Sequence, residues 1–492
     1  MTANPVPITE EGLRVLEGLA IHEARASLWA FRRFMHPAET DGWFYRVISD
    51  ELQAFYESFS RGEKPKLAIT TPPQHGKSSA VVDMIAWALG KNPDHKVIFA
   101  SFSGRLGERA NLAIQRLLHS PRYQRVFPET RISAFGSAAS ESGIAICNRE
   151  MVEMAGRSGY FRNTTVRGSV TGEALDLAII DDPVKSREEA NSKIMREAVF
   201  EWFRNDFSTR FSESAAMLCV MTRWHVADLV GKMREQIEDG LRIINFPAVA
   251  EFDDEHRKTG DALFPEFKSA AFLATQRAVL GTSNFEALYQ GNPQPTGGNI
   301  IKGAWFPRYK ELPSVMRYRI MVVDTAITAK EHSDYTVAQV WGVADGKAYL
   351  IDQWRAKVEA QDIKPRLLDF WAKHNALSTD INGHLRAMEI EEAASGHQLV
   401  QELKRRGGIP VKGIRRSKSK YDRYCDCAGY MEAGSVVLPE FAPFVADLIA
   451  EMEAFTADDG HVNDDQVDCV LSAIESILLT GTSVVSLWEN MT

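Results

Sequence analysis

The chain has 492 residues, a formal net charge of −9, and the apolar, aromatic and charged fractions of an ordinary globular protein. This length predicts about two or three domains, each large enough for its own core. The negative charge excludes a protein that coats itself with nucleic acid, so any nucleic-acid contact must be local. The five scattered cysteines favour a reducing compartment over a disulfide framework.

The first two segments have helical patterns, over residues 8–35 and 44–59, with apolar side chains at helical spacing. The sequence shows no basic leader followed by an apolar run and no apolar stretch that would span a bilayer. A cytosolic location without membrane contact is therefore expected.

Residues 67–79 contain a phosphate-loop pattern. A buried strand is predicted at 67–69, a helix follows at 80–89, and Gly76, Lys77 and Ser78 lie between them. In such a loop, backbone N–H groups and a helix N-terminus face a phosphate, the lysine reaches the β and γ oxygens, and the serine holds Mg²⁺. Thr71 occupies the place of the usual first glycine, so a simple strand–turn–helix corner is the alternative. The nucleotide-binding candidates are Thr71, Gln74, His75, Gly76, Lys77, Ser78 and Ser79.

Strand and helix then alternate, over 96–101 and 105–118, which predicts an α/β domain with a mostly parallel sheet. The apolar strand 177–180 ends at Asp181 and Asp182. In phosphate-loop ATPases the acid at this strand end contacts Mg²⁺ and the next acid orients the attacking water. The alternative is an Asp-Asp-Pro turn before a helix that Ser186 caps.

A further strand is predicted at 216–221 and runs into Thr222 and Arg223. Polar groups at this position suit the sensing of a γ-phosphate, although a plain strand end is the alternative. The stretch 292–303 is rich in Pro and Gly and indicates a domain boundary.

Beyond this boundary, the strand 319–324 ends on Asp324, and two more strands, 335–343 and 347–354, are joined by Asp345 and Gly346. Asp-Gly between apolar runs is a strong hairpin signal. Three antiparallel strands, the first ending in a carboxylate, are how a ribonuclease-H-like domain begins. A helix at 361–374, a strand at 385–390 that delivers Glu391 and Glu392, and a helix at 398–404 follow.

Three acids, Asp464, Asp465 and Asp468, open the apolar helix predicted at 467–479. The helix dipole favours acids at such a start without any catalytic purpose. Together with Asp324 and Glu391, however, they could converge on one point, where packed carboxylates require divalent metal. Two such ions are the machinery of in-line phosphodiester hydrolysis. The Lys- and Arg-rich stretch 404–423 beside this centre predicts a contact with the DNA backbone.

Taken together, these motifs resemble the large subunit of tailed-bacteriophage terminases, the DNA-packaging motor. The resemblance rests on six motifs in order: residues 71–78 (TPPQHGKS), 179–182 (IIDD), 222–225 (TRWH), 323–326 (VDTA), 390–396 (IEEAASG) and 464–468 (DDQVD). It implies a P-loop ATPase domain over 1–295 with a mostly parallel sheet and helices on both faces, a linker over 296–312, and a ribonuclease-H-like mixed-sheet nuclease domain with a C-terminal tail over 313–492.

The resemblance also implies site residues, cofactors and partners. Lys77 and Ser78 would bind ATP and Mg²⁺, Asp181 and Asp182 would be the acidic pair, and Thr222 would couple hydrolysis to motion. Asp324, Glu391 and Asp465 would be the nuclease carboxylates, with Asp464 and Asp468 as rivals and Mn²⁺ able to replace Mg²⁺. Arg167, or else Arg157, would be the arginine finger that completes a neighbour's site.

The implied partners are double-stranded DNA, the portal protein of a procapsid, a small terminase subunit and further copies of the chain in a ring, for which a pentamer is the expected form. In solution a monomer is also compatible with the resemblance, and the implied location is the host cytoplasm.

Two other functions fit parts of the pattern. One is a helicase-nuclease or transposition-type enzyme that fuses a P-loop ATPase to a ribonuclease-H-like domain. The other is a non-enzymatic portal adaptor whose acids are surface charge.

Overall fold

The computed structural model describes residues 9–39, 42–134, 145–170, 172–236, 240–294, 300–325, 335–392, 396–456 and 464–480. The expectations for Ile8, Ala326, residues 393–395 and the C-terminal tail lie outside these ranges. The chain forms two compact units, of which the first comprises Met1–Leu273 with Glu286–Gln294 and the second comprises Ala274–Phe285 with Pro295–Thr492.

The N-terminal unit is built on one seven-stranded sheet with the order β3-β4-β2-β5-β6-β1-β7. Its strands are β1 Lys66–Thr70, β2 Lys96–Ser101, β3 Met151–Glu153, β4 Tyr160–Thr165, β5 Leu175–Asp181, β6 Phe211–Met221 and β7 Leu241–Asn245. All neighbours pair in parallel except β3 and β4. The predicted mostly parallel sheet is confirmed.

Helices cover both faces of this sheet. They are α1 Glu10–Ala26, α2 Leu28–Met35, α3 Trp43–Ser60, α4 Lys77–Lys91, α5 Gly104–His119, α6 Pro121–Val126, α7 Arg187–Asn191, α8 Lys193–Trp202 and α9 Leu229–Gln236. Two further helices, α10 Ala270–Leu280 and α11 Thr282–Leu288, contain the points at which the chain passes from one unit to the other and back. Alternate strand residues feed two cores, since Val97 and Phe99 join one and Ile98 and Ala100 the other. Two-sided burial explains why these strands are continuous apolar runs.

The N-terminal helical segment is two helices instead of the single one predicted. Ser27 is extended, with φ −123° and ψ 130°, and its side chain caps α2 by accepting from the Ala30 backbone N–H. The side chain of Gln53 accepts from the Leu28 N–H at 2.9 Å. These side-chain acceptors satisfy backbone donors at the start of α2, so the chain can break there at little cost.

The C-terminal unit is built on a second seven-stranded sheet with the order β13-β12-β9-β10-β11-β14-β8. Its strands are β8 Arg308–Tyr309, β9 Tyr318–Asp324, β10 Thr336–Ala344, β11 Lys347–Ala356, β12 His384–Glu391, β13 Val411–Ile414 and β14 Val436–Pro439. The strands β9, β10 and β11 are antiparallel and the other pairs are parallel. Asp345 and Gly346 both have positive φ, 50° and 70°, as a tight hairpin turn requires. The predicted mixed sheet is confirmed.

Helices again cover both faces. They are α12 Ala360–Asn375, α13 Thr379–Asn382, α14 Gly396–Arg406, α15 Lys420–Glu432, α16 Val445–Glu453 and α17 Asp465–Ile474, which continues as a π-helical turn, Glu475–Leu479. Side chains of β9 alternate between two cores, Ile320 and Val322 on one face and Met321 and Val323 on the other. Within the described ranges, no helix is long and apolar enough to cross a membrane.

Candidate functional site

Three strand ends meet in the N-terminal unit. Thr70 at the end of β1 pairs with Met221 of β6, and Asp181 at the end of β5 pairs with Val220 of β6. The strands are parallel, so the residues that follow them lie at one edge of the sheet. This edge is where ligands bind in open α/β sheets.

Lys77 joins the predicted nucleotide-binding residues at this edge. Its side chain is buried, and its Nζ lies 2.8 Å from Asp182 Oδ2 and 3.3 Å from Thr222 Oγ1. Asp182 Oδ1 accepts from the Thr222 backbone N–H at 3.0 Å, and Thr222 Oγ1 donates to the Thr71 carbonyl at 3.2 Å. Residues from three distant motifs therefore form one hydrogen-bonded group.

The loop before α4 has the backbone of a tight phosphate-type turn. Gln74 and Gly76 have positive φ, 61° and 78°. A Cβ at Gly76 would stand 2.7 Å from Cε1 of Tyr45, so only glycine fits there. Among the other nucleotide-binding candidates, Ser79 donates to the Gly76 carbonyl at 2.8 Å.

His75 and Gln74 are each held by one neighbouring group. His75 Nδ1 bonds the Pro73 carbonyl at 2.9 Å, and burial lowers the pKa of the imidazole, so the ring is neutral at pH 7. Gln74 Oε1 accepts from Lys268 Nζ at 3.0 Å. Both side chains thus shape the loop.

Asp181 is a buried carboxyl whose pKa is strongly raised. Burial, reinforced by the charge of Asp182, raises the pKa of its carboxyl to about 7, while Lys77 and a hydrogen bond with Ser78 act in the opposite direction. Its buried Oδ1 has no hydrogen-bond partner among the described residues. An orphaned carboxylate oxygen beside a serine hydroxyl fits a divalent cation, because hard cations prefer such oxygen ligands.

The arginine candidates lie apart from Lys77. Arg167 is exposed, has φ 67°, and its Nη1 lies 3.3 Å from Met195 Sδ. Arg157 pairs with Asp94 and Glu129. These contacts are compatible with a role of either arginine toward a neighbouring copy.

Arg223, the second residue suggested for γ-phosphate sensing, is occupied elsewhere. Its Nε lies 2.6 Å from Asp228 Oδ2, and both side chains are buried. Thr222 is thus the residue of this pair that contacts Lys77.

In the C-terminal unit, the predicted nuclease carboxylates lie on neighbouring elements. Asp324 ends β9, Glu391 ends the adjacent parallel strand β12, and α17 packs against β9. Burial raises the pKa of Asp324 well above its ordinary range, and the charges of Asp468, Glu391 and Asp465 raise it further. Burial and Asp468 likewise raise the pKa of Glu391.

Basic side chains lie among these acids, and sequence reasoning did not assign them to the site. Lys420 Nζ bonds Asp464 and lies 2.7 Å from Asp468 Oδ2, while Arg423 Nη1 lies 2.7 Å from Asp468 Oδ1. Arg416 Nε lies 4.0 Å from Glu391 Oε2. These cations offset the repulsion between the carboxylates.

The predicted metal cluster is not preformed. In the part of the chain that the structure describes, no three His, Cys, Asp or Glu side chains are arranged to hold a metal ion. The donor set nevertheless suits a divalent cation, since it consists of carboxylates, and the Lys420 ammonium lies between Asp464 and Asp468.

Most basic side chains of the stretch 404–423 form ion pairs within the C-terminal unit. Lys412 pairs with Glu389, Arg415 with Glu392, and Lys418 with Asp426. Most of its charged side chains are therefore used in ion pairs within the unit. For Lys404, Arg405 and Arg406, in the last turn of α14, the contact with DNA stays a prediction.

Two protein-family models match the chain. The model "Terminase large subunit, T4likevirus-type, N-terminal" matches residues 68–308, and the model "Terminase RNaseH-like domain" matches residues 321–476. No curated protein matches.

Solved structures that align with this chain include large terminases of phages. The large terminase of a thermophilic bacteriophage, in one crystal form, aligns with a TM-score of 0.50 and 12% identity, covering 87% of this chain and 98% of that chain. The HK97 bacteriophage large terminase aligns with a TM-score of 0.36 and 11% identity, covering 93% of this chain and 99% of that chain.

The two family models follow one another along the chain and match residues 68–308 and 321–476, which together are most of its length. The chain therefore belongs to the terminase large subunit family, the ATP-hydrolysing and DNA-cutting enzymes of viral genome packaging.

Proposed function

We propose that this chain drives double-stranded DNA into a procapsid with an ATPase domain over residues 1–295 and cuts concatemeric DNA with a nuclease domain over 313–492, the two joined by a linker over 296–312. The observation that carries the proposal is that six motifs far apart in the sequence supply two side-chain clusters, one at the carboxyl edge of each sheet.

In the ATPase centre, the loop from Thr71 to Ser79 cradles the phosphates and Lys77 binds their β and γ oxygens. In this structure the Lys77 ammonium bonds Asp182 and Thr222. A phosphate that binds this ammonium would replace Asp182 as its partner and so free the Asp182 carboxylate. Asp182 could then orient the attacking water, and Ser78 and Asp181 would hold Mg²⁺. The ion, when bound, neutralises charge on the phosphates.

Thr222 is the proposed coupling residue, because it touches Lys77, Asp182 and the Thr71 carbonyl at once. Loss of the γ-phosphate would change the partner of Lys77 and hence the bonds of Thr222. Arg167 would complete the site of an adjacent copy in a ring at the portal, with a pentamer as the expected form and a small terminase subunit selecting the DNA.

In the nuclease centre, Asp324, Glu391 and Asp465 are the proposed ligands of Mg²⁺ or Mn²⁺. Asp464 and Asp468 are the alternatives for the third ligand, since they share the Lys420 ammonium. Bound divalent ions would supply the charge that in-line phosphodiester hydrolysis needs at the attacking and leaving oxygens. The chain's own cations, Lys420 and Arg423, hold the acids of α17 in place before the ions arrive.

Adjacent glutamates give a matched test of the nuclease site. Glu391 lies in the carboxylate cluster, whereas Glu392 bonds Arg415 at 2.8 Å and packs against Gly413. With Mn²⁺ and plasmid DNA, we expect Glu391→Gln to leave the plasmid intact and Glu392→Gln to cut it like the parent. Equal cutting by both variants would contradict the assignment, an intact plasmid with the parent would favour the adaptor, and unwinding of forked duplexes would favour a helicase-nuclease.

A further inference from the structure

A series of buried and half-buried hydrogen bonds runs through the C-terminal unit to the start of α17. Trp341 Nε1 donates to Gln339, Gln339 Nε2 to Gln353, and Gln353 Nε2 to Gln466, at 3.0, 2.8 and 2.7 Å. Gln466 Nε2 then donates to Glu451 Oε2 at 2.6 Å. Every amide donates in the same direction, so each bond polarises the next and the series ends on a carboxylate.

Glu451, on α16, collects three donors. Its Oε1 accepts from the backbone N–H of Gln466 at 2.7 Å, and its Oε2 accepts from Gln466 Nε2 and from Arg355 Nη2, the latter at 2.8 Å. Glu451 and Gln466 are 8% and 0% exposed. Because both residues are buried and both carboxylate oxygens accept hydrogen bonds, the Glu451 side chain has little freedom to move.

This arrangement changes how α17 is capped. The N-cap residue of α17 is Asp464, a residue type that ordinarily caps its own helix. Here the Asp464 carboxylate bonds Lys420, and the cap on the Gln466 N–H comes from Glu451 of another helix. Glu451 thereby holds the first turn of α17 through its backbone, and the aspartate side chains of this turn are left to the carboxylate cluster.

We propose that Glu451 is a positioning residue of the nuclease centre, which holds the first turn of α17 so that Asp464, Asp465 and Asp468 keep their places beside Asp324 and Glu391. It acts through Gln466 and touches neither DNA nor the reacting atoms. This inference rests on the proposed metal-dependent nuclease site.

The test compares two glutamates of α16. Glu451→Gln replaces one acceptor oxygen by an amide that must face a donor, whichever way it is turned. Glu453→Gln is the control, because Glu453 Oε1 also accepts a backbone N–H, that of Gly303 at 2.9 Å, away from α17. Mn²⁺ binding to the full chain is measured by calorimetric titration, and hydrogen exchange of the Gln466 amide is measured without metal.

We expect Glu451→Gln to weaken Mn²⁺ binding roughly 10- to 100-fold, as loss of a group that orients metal ligands does. The Gln466 amide should exchange faster, ATP hydrolysis should stay unchanged, and Glu453→Gln should bind Mn²⁺ like the parent. Gln466→Leu keeps the backbone cap, so its Mn²⁺ affinity should lie between those of Glu451→Gln and the parent. This variant replaces Glu451→Gln in the test if Glu451→Gln does not fold. Parental Mn²⁺ affinity in Glu451→Gln, or in Gln466→Leu where that is used, overturns the inference, whereas a parent that binds no Mn²⁺ overturns the nuclease site itself.

Discussion

The two candidate centres differ in how they neutralise their carboxylates. In the N-terminal unit, Asp181 and Asp182 face a single amine, that of Lys77, and one Asp181 oxygen has no hydrogen-bond partner in the described ranges. In the C-terminal unit, Asp468 has a cation on each oxygen, Arg423 on one and Lys420 on the other. The first centre has one ammonium for two acids, whereas the second has cations on the acids at the start of α17 and leaves Asp324, whose pKa is raised well above its ordinary range, facing other carboxylates.

The largest effect is expected from Asp324→Asn. Asp324 faces the charges of Asp468, Glu391 and Asp465 together, so removing its own charge should lower plasmid cleavage with Mn²⁺ by about 10³-fold or more, a loss of several kcal/mol of transition-state stabilisation. ATP hydrolysis should remain at the parental rate, since the two centres use separate residues. Cleavage within a few-fold of the parent would remove Asp324 from the site.

The reciprocal variant, Lys77→Met, should disable the other centre alone. Loss of the ammonium beside Asp182 and Thr222 should lower the ATP hydrolysis rate by about 10²- to 10³-fold. The initial rate of DNA cleavage with Mn²⁺, followed on a gel without ATP, should match the parent. A fall in both activities would show that the centres are not independent.

The cations beside the acids of α17 should contribute to the free energy of unfolding of the C-terminal unit. Arg423 is 3% exposed and pairs with Asp468 and Glu475, so Arg423→Met removes one of the two cations beside each of these carboxylates and should cost about 3 kcal/mol. Denaturant unfolding, followed by a probe in the C-terminal unit, measures the loss. Lys418→Met, which removes a more exposed pair with Asp426, should change stability by less than about 0.5 kcal/mol.

The smallest effect is a pH dependence of the first centre. The pKa of Asp181 is raised to about 7, so the folded chain binds a proton there that the unfolded chain releases near pH 4, and this group's contribution to stability falls as pH rises from about 4 to 7. Cation binding needs the ionised form. Affinity for Mg²⁺ with a nucleotide should therefore be roughly tenfold higher at pH 8 than at pH 6, with proton release on binding below pH 7.

Calorimetry in two buffers of different ionisation enthalpy measures this proton release. Asp181→Asn is the control, since an amide cannot ionise in this range and its weaker affinity should be independent of pH. The same proton release in Asp181→Asn would assign the effect to another group.

The sequence predicted the two sheets and the strand ends, because apolar strands that end in Asp or Glu are local patterns. Glu391 and Glu392 show where this reasoning stops. Both follow the same strand, and only the fold reveals that Arg415 and Gly413 hold Glu392 away from the cluster. Adjacent residues of a strand point to opposite faces of the sheet, and the sequence at the end of a strand does not indicate on which face the site lies.

Lys420, Arg423 and Glu451 were missed for a related reason. The first two lie in a basic stretch that resembles a solvated or DNA-binding surface, and their burial depends on the packing of α15 against α17. One signal was available in the sequence. Lys420 and Arg423 are three residues apart at the start of α15, and at helical spacing they share a face with Tyr424 and Ala428, which are buried. Glu451 offered none, since its partners Arg355 and Gln466 are remote in sequence.

The contact between Gly76 and Tyr45 has a practical consequence. The phenol ring of α3 forms a wall behind the phosphate loop, 2.7 Å from where a Cβ at Gly76 would be. Tyr45 in turn packs edge-on against Phe264, with 5.0 Å between ring centroids, so the wall is braced by a segment far along the chain. A recombinant fragment that starts just before the loop would lack this backing, and a fragment meant to hydrolyse ATP must begin upstream of α3 and extend past Phe264.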